Sequence, residues 1–118
     1  MDTIGCSPDG SQIAFLKSLG NPIQVQFISL RGGETRTLQV PGVYSGGLAW
    51  ESDGQGVLMG IEGAHSVTLL RVDLKGSVQP IWQQSHRGLI AGLPSPNGRH
   101  IALGFNQGNN TVWLIDNF

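Results

Sequence analysis

One four-residue turn recurs along this chain at a fixed interval. Ser7-Pro8-Asp9-Gly10, Glu51-Ser52-Asp53-Gly54 and Ser95-Pro96-Asn97-Gly98 close on glycines 10, 54 and 98, two equal gaps of 44 residues (54 − 10 and 98 − 54). A regular period of this length marks a repeat architecture, in which each unit buries its faces against its neighbours. The chain has 118 residues, fewer than three full periods.

Other positions keep the same spacing. Ile13 aligns with Val57 and Ile101, and Phe15 with Met59 and Leu103. Leu30 aligns with Leu74, and Leu38 with Trp82. Each unit reads as four short strands, a to d. The first gives 2–6, 12–17, 23–29 and 35–40. The second gives 47–50, 57–62, 66–73 and 78–83. The third gives 89–93, 100–104 and 111–116, and carries no strand d. Pro at the second turn position has its φ already set, and Gly supplies the positive φ that closes a tight a–b hairpin. Arg31-Gly32-Gly33 and Lys75-Gly76 do the same for the c–d hairpins. In strand b of the first unit, Ile13 and Phe15 point one way and Ala14 and Leu16 the other. A strand apolar on both faces belongs to a sheet covered on both sides, and strands of this kind on a period of about 40–45 residues predict β-propeller blades. The expected units are 2–40, 45–83 and 89–118: an all-β chain of about three four-stranded antiparallel blades, the last lacking its outer strand.

Composition narrows the function classes. Eighteen glycines and only 13% charged residues suit a turn-rich all-β domain. The seven basic residues are scattered and the net charge is −1, which predicts no nucleic-acid footprint and no anionic-membrane surface. No stretch is apolar for long enough to span a membrane as a helix. The opening Met1-Asp2-Thr3 lacks the basic and apolar regions of a signal peptide, leaving cytoplasm and periplasm both open. Cys6 is the single cysteine, expected as a small buried residue rather than a reactive thiol.

The run Ser-Pro-Asp-Gly-Ser-Gln-Ile-Ala-Phe at 7–15, followed by Ile-Gln-Val-Gln-Phe-Ile-Ser-Leu-Arg-Gly-Gly-Glu-Thr-Arg-Thr-Leu at 23–38, resembles the TolB-like, WD-repeat-like β-propeller family. The third unit, with Ser-Pro-Asn-Gly-Arg-His-Ile-Ala-Leu at 95–103, is similar to the last blade of such propellers in bacterial multidomain proteins. The resemblance covers nearly the whole chain. It implies blades with strand a nearest a central axis, in rings of six to eight.

Uncapped repeats expose apolar blade faces at both ends, and such patches mark association sites. The expected partner is a copy of the chain: two chains of three blades give a six-bladed homodimeric ring, closed head to tail. The b–c and d–a loops share one end of the blades, where rigid scaffolds usually carry binding residues. Tyr44, His65, His86, Arg87 and Asn106 are the candidate ligand-binding residues there, for a protein or glycan partner.

No catalytic residue is assigned. The histidines lack metal-ligand spacing, there is no Gly-x-Ser-x-Gly elbow, and Asp9 and Asp53 recur with the turn. No cofactor or metal is expected, and the chain is read as a non-enzymatic interaction or scaffold module. The alternative is a lectin-like oligomeric propeller, in which Trp50, Trp82 and Trp113 stack sugars between blades. Core packing is the competing role for these rings, because Trp82 aligns with Leu38 and Trp50 with Cys6.

Overall fold

The computed structural model describes residues 2–17, 20–85, 88–106 and 110–116. Eleven strands form three antiparallel sheets. Blade 1 holds β1 (Asp2–Cys6), β2 (Gln12–Lys17), β3 (Ile23–Ser29) and β4 (Thr35–Val40) in sequential order. Blade 2 holds β5 (Val43–Trp50), β6 (Gly56–Glu62), β7 (Val67–Asp73) and β8 (Val78–Gln84). Blade 3 holds β9 (Leu89–Pro94), β10 (His100–Asn106) and β11 (Asn110–Asp116), with three strands among the described residues.

The recurring turn starts each blade in the same way. Gly10, Gly54 and Gly98 adopt φ of 74°, 70° and 74°. Their amides donate to the carbonyls of Ser7, Glu51 and Ser95 at 3.0, 2.9 and 3.0 Å. The third turn residue locks the loop. Asp9 Oδ1 accepts from Ser7 Oγ (2.9 Å), the Ser11 amide (2.9 Å) and Ser11 Oγ (2.7 Å). Asn97 Oδ1 plays the same part in blade 3, accepting from Ser95 Oγ at 2.7 Å and the Arg99 amide at 3.0 Å.

Two cores lie between the blades. Ala14, Leu16, Val25 and Phe27 of blade 1 meet Val57, Met59, Leu70 and Val72 of blade 2. Leu58, Val67 and Leu69, on the other face of blade 2, meet Ile90, Ile101, Leu103 and Phe105 of blade 3. Strand β6 therefore serves both cores, with Val57 and Met59 on one side and Leu58 on the other. This is the two-faced burial expected of a blade between blades. Strand β6 of blade 2 and β9 of blade 3 approach closely at Gly60. A Cβ there would lie 2.6 Å from both the Ile90 carbonyl oxygen and Ile90 Cγ2.

Two sequence expectations are corrected. Val43-Tyr44-Ser45 is not a d–a loop, and blade 2 starts at residue 43 rather than 45, because β5 extends back to pair Val43 with Glu62 and Tyr44 with Ile61. Register shifts flanking Gly46 let the glycine-rich segment bend without leaving the sheet. Cys6 is exposed, not buried. It sits on the face of blade 1 that points away from blade 2, and no described sheet covers that face.

Candidate functional site

The loop end is held together by backbone and side-chain bonds. The Gly42 amide donates to Asn21 Oδ1 at 3.0 Å, tying the β2–β3 loop to the β4–β5 connection. Ser45, itself buried, donates from Oγ to the Gly88 carbonyl at 2.8 Å, tying the start of β5 to the entry of β9. Of the candidate ligand residues, the structure describes the side chains of Tyr44 and His65. His65 is exposed in the β6–β7 turn. Tyr44 is half-buried, packs on the core between blades 1 and 2, and donates its hydroxyl to the Gly47 carbonyl at 3.1 Å. Asn106 ends β10 opposite Leu89 and Asn110. His86 and Arg87 lie outside the described residues, as does the side chain of Asn106.

Trp50 and Trp82 are packing residues. Trp50 lies on the core between blades 1 and 2, its ring centroid 5.6 Å from that of Phe27 and tilted by 60°. Trp82 packs against the core between blades 2 and 3. The Trp113 side chain lies outside the described residues. An open groove of about 520 Å³, lined by residues including Gln12, Phe27, Glu34, Arg36 and Leu74, opens at the opposite, turn end. Arg36 Nη1 crosses it to donate to the Leu74 carbonyl. Sequence reasoning assigned no ligand role to that end, because the groove arises from the junction of two blades rather than from either turn alone. Among the described residues no three His, Cys, Asp or Glu side chains cluster as metal ligands.

The largest apolar exposures are at the two free blade faces. On blade 1, Ile4 is 64% exposed, beside Cys6, with half-buried Ile13 and Phe15 on the same face. On blade 3, Leu93 and Leu114 are each 65% exposed and Leu89 58%. Leu93, Ala102 and Leu114 are direct cross-strand partners and share one face. The repeat shows what these faces are. Ile13 and Phe15 occupy the places of Val57 and Met59, which pack on the preceding blade. Leu93 and Ala102 occupy the places of Gly5 and Ala14 in blade 1, on the side that meets the following blade. The two open faces are therefore opposite halves of the same interblade interface.

No family model matches this sequence, and no curated protein matches it. Solved structures do. A TolB from Acinetobacter baumannii is similar at 16% identity with a TM-score of 0.73, covering 98% of this chain and 30% of that one. Prolyl oligopeptidase B from Galerina marginata, bound to a 35mer hydrolysis and macrocyclization substrate, is similar at 15% identity with a TM-score of 0.76, covering 98% of this chain and 20% of that one. A structure from a study of two prolyl endopeptidases matches at 15% identity with a TM-score of 0.75 over 98% of this chain and 20% of that one. The chain thus spans less than a third of the length of these proteins. The likeness shows the fold: these are β-propeller blades.

The same comparisons correct the expectation that the chain is non-enzymatic. Its blades match part of prolyl oligopeptidases, where a propeller belongs to a peptidase. The absence of catalytic motifs from 118 residues does not exclude membership of an enzyme, because the chain covers only 20% of those proteins.

Proposed function

We propose that the chain is a β-propeller protein-interaction module that completes its ring with a second copy of itself. One observation carries the reading: the open face of blade 1 and the open face of blade 3 present the repeat equivalents of the residues that already form the two internal cores. Apolar faces of this kind rarely stay in water on a soluble protein. Because the two faces differ, the contact is heterologous, and it closes rather than polymerises if two copies span a full turn. Three blades from each chain make six. The loop end, where His65 is exposed, is the surface left for other partners, with His86, Arg87 and Asn106 as further candidates at that end.

The reading is tested by charging one open face. Phe15→Glu and Leu93→Glu alter half-buried or exposed positions, so each variant folds, and each is expected to be monomeric in sedimentation velocity. Mixed together, they retain one intact pair of faces and are expected to recover a dimer. Unchanged assembly in both single variants would refute the reading.

A further inference from the structure

The two internal junctions fix not only which faces meet but which residues meet. Trp50 ends β5 and pairs with Val57; it lies on Gly5 of blade 1, whose Cβ, were one present, would be 3.7 Å from Trp50 Cδ1. Its indole N–H donates to the Gly5 carbonyl at 2.9 Å. The Phe27 ring, on the same face of blade 1, flanks it. Cross-strand pairing gives the equivalents without adjustment. Gly5 pairs with Ala14 as Leu93 pairs with Ala102, and Cys6 pairs with Ile13 as Trp50 pairs with Val57. Phe27 pairs with Ala14 as Leu114 pairs with Ala102.

Resting on the self-assembly proposed above, we infer that the seam between copies places Cys6 of one copy against Leu93 and Leu114 of the next. The chemistry is consistent at each position. Where the internal junction has a small Gly5 facing a large Trp50, the seam has a large Leu93 facing a small Cys6. The volume is exchanged between the two sides, as close packing requires. Leu93 and Leu114 are the most exposed large apolar residues of blade 3, and Cys6 is exposed opposite them on blade 1. The seam buries all three, and Cys6 becomes inaccessible on assembly. In a two-fold ring the two Cys6 residues sit on separate seams.

Disulfide formation under diamide, added while the 118-residue chain or its Leu93→Cys variant reassembles from dilute solution, tests this register. The variant is expected to give a covalent dimer on denaturing gels, and the wild type, with Cys6 alone, none. A Lys75→Cys variant, whose new thiol is on an exposed blade 2 turn, is expected to give none either. A dimer by light scattering that does not cross-link through Leu93→Cys would overturn the register while leaving self-assembly intact. Cross-linking of the wild type would mean that like faces meet through Cys6, which contradicts the head-to-tail seam. A monomer would remove both.

Discussion

Trp50 of β5 reaches across to β1 and donates its indole N–H to the Gly5 carbonyl at 2.9 Å. The bond joins two blades at their inner strands, in a site lined by the Phe27 ring. Trp50→Phe keeps the ring contact and removes the donor. We expect a loss of about 1–2 kcal/mol, the usual effect of stripping a partner from a part-buried carbonyl, read as a lower urea midpoint without a change in slope. No shift in midpoint would show that water replaces the bond fully.

At Gly60, β6 of blade 2 comes close to β9 of blade 3. A methyl group there meets the Ile90 backbone at 2.6 Å, and backbone cannot step aside as a flexible side chain can. Gly60→Ala is expected to destabilise the chain by about 1–3 kcal/mol through overpacking, although alanine is otherwise easier than glycine in a strand. A thermal melt that rises instead would place β6 and β9 farther apart.

Leu69 is fully buried between blades 2 and 3, against Gly92. Leu69→Ala opens a cavity in that junction, at a cost of about 2–5 kcal/mol by denaturant unfolding.

The recurring turn carries a pH dependence in one blade and not in another. The Ser11 hydroxyl and amide, then the Ser7 hydroxyl, hold the Asp9 carboxyl down from 3.8 to about 2. A carboxyl depressed in the folded state stabilises fully above its unfolded value, and the contribution is lost as pH falls from 3.8 through about 2. Asn97 makes the equivalent bonds with an amide oxygen that does not titrate. Asp9→Asn is therefore expected to flatten the fall in melting temperature across that interval. An acid limb as steep as the wild type's would assign it to other carboxylates.

Blade 1 was legible strand by strand, since Ser-Pro-Asp-Gly and Arg-Gly-Gly bound its apolar runs at both hairpins. Blade 2 was less so at its start. Val43-Tyr44-Ser45-Gly46 reads as a loop because it ends in two turn formers, yet register shifts keep it in the sheet. Cys6 was misjudged for a different reason. Its local pattern is that of a core residue, and its exposure depends on whether another blade covers it, which no local pattern records. Tyr44 shows the same limit at the candidate loop site, because its hydroxyl is engaged by Gly47 only after the bulged strand has formed. The likeness to part of the prolyl oligopeptidases was beyond reach from motifs, since it lies in the blade fold at 15% identity.

The most direct test of ring closure is the mass of the 118-residue chain in solution, measured by multi-angle light scattering across a concentration series. The head-to-tail ring predicts a species of twice the 12.6 kDa of one chain, constant with dilution until both seams open together. A soluble, folded 12.6 kDa monomer at all concentrations would contradict it, and would assign the exposed faces of blades 1 and 3 to some other cover.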